Sequence, residues 1–282
     1  MEPLSVELGR ELRRAAVDWS RSRPRSLQAA IGPSEIGHPC DRFLAYKALQ
    51  LPDSTDEPFD SLPSTVGTAM HDYVMADALS RPGVGVRGTE HLPSPLEIAD
   101  MVAYLKETGG RWIVEQRVEV APGLTGSSDA YDTWTNTVVD HKFLGWDSYK
   151  NTRRHGPKQQ YRTQFHSYGF GFARLGFDVQ HVAVGAWLRP GLTTDLVVIT
   201  EPYDEQVVEE GLQRWYQIAE GAPGLAKQPV LFNYLPMADG PCSFCPFRNA
   251  ALAATDPGAA CAGHPTQKSS GARRPQLTDL IA

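Results

Sequence analysis

The amino-acid sequence predicts an α+β fold, a mixed sheet flanked by helices. Three observations predict it. The apolar period is helical up to about Lys106 and becomes strand-like from Arg111. Three strand-like segments then follow one another with connections short enough for hairpins. After them come a helix, two strands and a helix. The 282 residues, 41 % of them hydrophobic and 21 % charged, can bury a sizeable core and argue against wholesale disorder.

Each element has its own reason. Leu4 to about Arg23 carries Leu8, Leu12, Ala16 and Trp19 at helical spacing among Arg10, Arg13, Arg14 and Arg21, and Pro24 ends it. Ser34 to Lys47 reads as a capped turn entering a short helix, and Leu51 to Pro63 as an acidic, Pro-rich loop. Gly67 to Leu79 predicts a helix with Met70, Val74 and Ala78 on one side. A Gly/Pro loop leads to an amphipathic helix, Pro95 to Lys106. Trp112–Val120, Leu124–Trp134 and Thr137–Lys142 form a meander joined at Pro122-Gly123 and Thr135-Asn136. A basic, polar loop precedes a helix from about Pro157 to Leu175. Asp178–Leu188 and Thr194–Thr200 read as strands, and Asp204–Glu220 as a helix with Val207, Leu212, Trp215 and Ile218 as its apolar stripe. The expected organisation is an N-terminal helical segment (1–66), a core (67–225), a cysteine region (226–265) and a flexible tail (266–282).

Several function classes drop out. No apolar run approaches the roughly 20 residues that cross a bilayer. The N-terminus lacks the apolar stretch of a signal peptide, so a cytoplasmic protein without a membrane partner is expected. A net charge of -6 excludes an overall basic coat but leaves room for a local basic patch. There is no G-x-x-x-x-G-K-[ST] loop, and Gly126-Ser-Ser-Asp-Ala130 fails the serine-hydrolase elbow at its last position.

Chemistry concentrates in the meander. Asp129 lies on its second strand, and Asp140 and Lys142 end the third. Residues two apart on a strand share a face, so Asp140 and Lys142 point the same way and an adjacent strand can bring Asp129 beside them. Two facing carboxylates repel unless a cation bridges them, and hard oxygen donors suit Mg²⁺ or Mn²⁺. The lysine would orient a water or neutralise charge on a phosphoryl oxygen. Taken alone, Asp-x-Lys is very common and reads better as a surface ion pair, and Asp129 and Asp132 as turn or edge residues. Its place after Val138-Val139, with Gly126-x-x-Asp129 upstream, is what raises it. Glu115, on the first strand, reads better as an exposed strand residue than as a supporting acid.

Between Lys142 and Arg162 there are six basic residues (Lys142, Lys150, Arg153, Arg154, Lys158 and Arg162) against one acid, Asp147, with Trp146, Tyr149 and Tyr161 interleaved. Such a stretch suits phosphate contacts and base stacking. Four cysteines are too few for a disulfide scaffold. Cys242-x-x-Cys245 is a chelating turn, Cys261 lies fifteen intervening residues further on, and Cys40 is remote. By count, four thiolates fit tetrahedral zinc or an iron–sulfur cluster equally, and spacing alone leans slightly to zinc.

In these motifs the chain resembles the RecB-like branch of the PD-(D/E)XK nucleases. Gly126, Asp129, Asp140 and Lys142 match its Gly-x-x-Asp and Asp-x-Lys strands, Gly67-Thr68-Ala69-Met70-His71 its Gly-Thr-x-x-His helix, and Gln164-Phe165-His166-Ser167-Tyr168 its Gln-h-x-x-Tyr helix. The resemblance implies a PD-(D/E)XK core in which His71, Asp129, Asp140 and the backbone carbonyl of His141 hold Mg²⁺ or Mn²⁺. It further implies that Lys142 activates water and that Gln164 and Tyr168 help to hold DNA. AddB-type and CRISPR-associated exonucleases of this branch place one cysteine before the core and three after it around a 4Fe–4S cluster. By that likeness Cys40, Cys242, Cys245 and Cys261 would form a structural iron–sulfur subdomain. The interval before Cys261 is longer than the family's, which makes His264 a substitute candidate. The implied activity is a metal-dependent DNA exonuclease acting on linear single- or double-stranded ends and leaving a 5′-phosphate. By analogy, small size without a motor suits phage or mobile-element recombination in a host cytoplasm, alongside a recombinase or annealing protein. The alternative is a nuclease-fold DNA-binding subunit, like those of CRISPR adaptation, acting through a partner.

Overall fold

The computed structural model describes residues 4–22, 30–55, 62–238, 242 and 245–264. The expected tail at 266–282, the end of the first helix at Arg23 and Pro24, and residues 56–61 of the acidic loop lie outside them. The chain divides into two compact units, one of Ile31–Pro39 with Val66–Gln217 and the other of Met1–Ala30, Cys40–Thr65 and Ile218–Ala282.

In chain order the elements are α1 (Leu4–Ser22), α2 (Pro33–Ile36), α3 (Asp41–Ala48), α4 (Leu62–Ala69), a π-helical segment (Met70–Met75), α5 (Ala76–Leu79) and β1 (Gly85–Arg87). Next are α6 (Pro95–Thr108), β2 (Trp112–Ala121), β3 (Leu124–Asp132), β4 (Thr137–Leu144), α7 (Trp146–His155) and α8 (Gln159–Arg174). β5 (His181–Leu188), β6 (Val197–Pro202), α9 (Glu205–Lys227) and α10 (Ala250–Thr255) complete the order, with 3₁₀ turns at Thr193–Asp195 and Pro229–Tyr234. No described helix is long and apolar enough to cross a membrane.

The sheet is mixed and six-stranded, in the order β1-β2-β3-β4-β5-β6. β2, β3 and β4 are the antiparallel meander, β5 runs parallel to β4, and β1 runs parallel to β2. β6 closes the other edge antiparallel to β5. The parallel β4–β5 pair needs a long crossover, and α7 and α8 supply it. α8 carries Phe165, Tyr168 and Phe172 onto Val118, Tyr131, Val138, Val182 and Val184 of the sheet. Phe165 and Phe172 are fully buried, and truncating either to Ala should cost about 3–5 kcal/mol.

Four expectations change. The predicted helix Gly67–Leu79 is a continuous run from Leu62 whose middle, Met70–Met75, is wound as a π-helix. β1 replaces part of a predicted loop; three residues offer no periodicity to read. The basic loop after Lys142 is a helix, α7, which buries only Tyr149 and Thr152 and shows little apolar pattern. α9 also runs on to Lys227, past the predicted Glu220, with Pro223 inside it.

Candidate functional site

The β3–β4 ladder is short. Its paired residues are Asp132–Thr137, Tyr131–Val138 and Ala130–Val139, and there the pairing stops. Beyond that point Asp129 Oδ2 accepts the His141 backbone N–H at 2.6 Å, so a side chain takes a strand donor where the ladder ends. The same oxygen lies 3.3 Å from His71 Nδ1. His71 sits in the π-helical segment, where the Ala76 N–H reaches back to the His71 carbonyl. Such widened turns recur at functional sites because they re-aim one side chain without breaking the helix.

On β4, Asp140 is fully buried. Lys142 Nζ lies 2.6 Å from its Oδ2, an ion-pair contact whose alignment is not that of a hydrogen bond, and Oδ1 has no hydrogen-bond partner. An ionised carboxyl with an orphaned oxygen in the interior is costly unless a cation completes it. Burial pushes the Asp140 carboxyl upward, Lys142 opposes this, and Asp129 adds to it. Burial acts the same way on Asp129, but His71 and then Lys142 overcome it and hold that carboxyl well below the usual range. Burial alone would lower His71, and Asp129 more than reverses this. Two buried acids thus stand close enough to oppose each other's ionisation, a repulsion that a bridging cation would relieve.

The structure therefore brings His71, Asp129, Asp140 and Lys142 together. The His141 ring packs elsewhere: Nδ1 accepts from Trp187 Nε1 at 3.3 Å, Nε2 is buried without a partner, and burial pushes the imidazole down to about 4. The His141 main chain donates to Asp129, while its ring lies 6.3 Å from the His71 ring.

Glu115 departs from the sequence expectation. The flanking pairs Val114–Ala130 and Gln116–Ser128 place it across from Asp129. It adopts φ +54 inside a strand, and it is only partly exposed. Burial and then Asp129 push its carboxyl up to about 7, against His71. Counting back from the Pro122-Gly123 hairpin would put Gln116 opposite Asp129, because a register shift between Glu119 and Ala121 displaces the ladder by one residue. The three acids consequently stand in a row on β2, β3 and β4.

The two helix residues of the matched motifs are nearly buried. Gln164 Nε2 donates to Tyr168 Oη at 3.4 Å. A Cβ on Gly126 would meet the Tyr168 ring at 3.1 Å and Pro33 at 3.0 Å. The Gly of the strand motif and the Tyr of the helix motif are hence one packing contact, which seats α8 against the site strand.

Among the expected DNA contacts, Lys150, Arg153, Arg154 and Lys158 are exposed. Lys150 lies over the Trp146 ring, and Lys142 and Lys158 both lie over Tyr161, which carries the basic surface up to the site lysine. Arg162 is held instead by Glu201, at 2.8 and 3.0 Å, and the same carboxylate takes His166 Nε2.

In the other unit, Cys40 caps α3, its sulfur accepting the Phe43 N–H. Cys242 and Cys245 are joined by the Cys245 N–H to Cys242 carbonyl bond. The long interval to Cys261 is taken up by α10, after which Cys261 N–H bonds the Phe247 carbonyl and its own carbonyl accepts from Asn249. Cys40 and Cys245 each lie within Coulombic range of the other three cysteines or of two of them, Cys261 included in both cases. Burial raises both thiols, Cys245 to about 12.

Among the described residues no three His, Cys, Asp or Glu side chains form a ready-made metal cage. The case for either centre rests on donor chemistry. Mg²⁺ keeps several waters and needs only one or two carboxylates. Asp129 with the orphaned oxygen of Asp140 fits that requirement, and four thiols, that of Cys261 buried and the others partly so, fit a soft metal centre.

No family model and no curated protein matches the chain. Among solved structures it is similar to an alkaline exonuclease (LHK-Exo) from Laribacter hongkongensis, at 14 % identity over 73 % of this chain and 91 % of that one, with a TM-score of 0.43. It is likewise similar to LHK-Exo in complex with dAMP, at 14 % identity over 72 % and 94 %, TM-score 0.44. A phage-related exonuclease from Haemophilus somnus 129PT follows at 12 % identity over 71 % and 96 %, TM-score 0.36. Likenesses this distant leave the chemistry to be read from the chain's own residues.

Proposed function

We propose that the protein is a metal-dependent nuclease that hydrolyses DNA phosphodiester bonds from linear ends. One observation carries this reading: a fully buried Asp140 with an orphaned oxygen, paired to Lys142 and set beside the Asp129–His71 pair. Asp129, Asp140, His71 and the His141 carbonyl would hold Mg²⁺ or Mn²⁺. When bound, that ion supplies Lewis-acid activation of a phosphoryl oxygen and lowers the pKa of a water.

The chain's own side chains do the rest. Lys142 is positioned by Asp140 to hold an attacking water or to neutralise charge growing on the phosphoryl group. His71 Nδ1 lies 3.3 Å from Asp129 Oδ2, so the two donors would face one ion together. Lys150, Arg153, Arg154 and Lys158 would take backbone phosphates of the DNA, with Trp146 and Tyr161 as stacking surfaces. Gln164 and Tyr168 act by seating α8 against β3, next to Asp129. Cys40, Cys242, Cys245 and Cys261 would hold a 4Fe–4S cluster, with zinc as the alternative, as a structural staple.

The test is digestion of end-labelled linear and circular DNA with Mg²⁺, Mn²⁺ or chelator. Linear DNA should be degraded only with a divalent ion, leaving 5′-phosphates, and Lys142→Ala should be inactive. Chelator-resistant cleavage, or an active Lys142→Ala, would remove the assignment.

A further inference from the structure

The first turn of α3 buries a charge that no carboxylate answers. Arg42 is 4 % exposed. Its Nη2 donates to the Asn233 carbonyl at 2.9 Å, its Nη1 points at Cys261 Sγ at 3.4 Å, and its Nε is buried without a partner. Among the described residues it makes no ion pair. A guanidinium cannot shed its proton, so burial leaves it charged. An uncompensated buried charge costs several kcal/mol. The group it faces is a sulfur, and that sulfur belongs to the set of four cysteines.

Backbone N–H groups meet two of the four sulfurs. Cys40 Sγ accepts the Phe43 N–H and Cys261 Sγ the Gly263 N–H, both at 3.4 Å. Phe43, Tyr46, Phe232 and Phe247 pack their rings together around the same segment, and Tyr46 Oη ties it to the Pro257 and Ala260 carbonyls. In such an apolar setting four thiolates on a doubly charged metal core retain two negative charges. One fixed positive charge against the most buried sulfur offsets part of that excess, and a guanidinium does so through directed N–H donors.

We propose that Arg42 is the built-in counter-charge of the four-cysteine metal centre, donating to the Cys261 sulfur. This rests on the reading of those cysteines as a metal centre and goes beyond it. The two-residue step from Cys40 to Arg42 lets one helical turn deliver both a ligand and the charge that balances the set.

The experiment uses the full chain, purified without oxygen, with iron and zinc counted per chain and metal loss followed in excess EDTA. Arg42→Lys and Arg42→Met have similar length and differ in charge. Arg42→Met should release metal about 10- to 100-fold faster than the parent, the usual size for losing a ligand's hydrogen-bond partner. Arg42→Lys should stay within about threefold of the parent, on the same ground. If the metal is iron, Arg42→Met should also lower the cluster's reduction potential and Arg42→Lys should restore most of it. A purely packing role predicts that Met performs as well as Lys, and that result would overturn the counter-charge. Should Arg42→Met not fold, Arg42→Gln replaces it as the neutral variant under the same comparison. A parent protein without metal would instead remove the cysteine centre itself, leaving the nuclease reading to its own test.

Discussion

The acid–lysine site and the cysteine set are built by opposite means. Asp129, Asp140 and Lys142 are near neighbours in sequence, on strands whose pairing with β2 and β5 places them, while the β3–β4 ladder itself ends one residue short of Asp129. The cysteines span residues 40 to 261 and sit among short helices, turns and a single bridge between Arg248 and Cys261. There the local order depends on side chains: the Tyr46 hydroxyl, the Arg42 guanidinium and the sulfurs themselves. A site that borrows its geometry from a sheet can be altered without harming the fold. A site that makes its own geometry cannot.

The largest expected effect tests the first half of that contrast. Asp140→Asn keeps the shape of a fully buried side chain and removes one of two acids that oppose each other's ionisation. Cleavage of linear DNA should fall by at least ~10²- to 10³-fold, the range for removing one preorganised electrostatic group. Thermal stability of the metal-free protein should be unchanged or higher. A cleaving Asp140→Asn, or one that melts well below the parent, would break the comparison on the sheet side.

Cys245→Ser tests the other half. It should leave the sheet unit's unfolding intact while opening the cysteine region, read as protease cutting between residues 226 and 264 at least about tenfold faster than in the parent. EDTA should act on the parent in the same direction. Equal cutting rates would mean that this region is held without its sulfurs.

How much of each site could be read beforehand follows the same division. The meander was legible because β-branched runs and short polar turns are local signals, and Asp-x-Lys inherits its geometry from a period of two. Glu115 was not, because one extra residue near the hairpin moves the register and swaps which side chain faces Asp129. The π turn that presents His71 carries no pattern distinct from an ordinary helix. α7 buries two side chains on an otherwise polar surface, and Gly145 gives it no side-chain cap to announce it. Nothing local brings Cys261 back to Cys245; α10 and two backbone hydrogen bonds do so only once folded.

Two aspartates on one strand sharpen the contrast further. Asp132, three residues beyond Asp129, accepts from Arg111 Nε at 2.7 Å and from the Trp134 N–H at 3.0 Å, and Thr135 donates to it as well. Burial would raise this carboxyl, but these donors hold it below its ordinary value. It is the turn residue that the sequence offered as one reading of both aspartates. A depressed native pKa contributes stability above the unfolded value of about 3.9, and that contribution fades as pH falls through the native pKa. Asp132→Asn should therefore cost about 2 kcal/mol at pH 7, the scale of a hydrogen bond to a charged group, with the difference from the parent shrinking below about pH 4. Its cleavage rate should match the parent's at temperatures where both are folded. Asp129→Asn should lose cleavage, and because that carboxyl is also held low and accepts the His141 N–H, it should lose stability at pH 7 as well.

The smallest effect concerns binding rather than turnover. Lys150, Arg153 and Arg154 are exposed on α7, whereas Arg162 is tied to Glu201. The first three are free to follow a phosphate backbone; the last already serves the joint between α8 and β6. Replacing Lys150, Arg153 and Arg154 together with Ala, in the non-cleaving Asp140→Asn background, should make the dependence of log affinity on log salt shallower by about 2 to 3, one contact contributing roughly 0.7 to 0.9. Anisotropy of a labelled DNA across a salt series reads this directly. Arg162→Gln should leave that slope alone and lower the melting temperature, since it strips a partly buried Glu201 of its main partner. A slope insensitive to the α7 substitutions but sensitive to Arg162→Gln would move the DNA path off α7 and onto the α8–β6 edge.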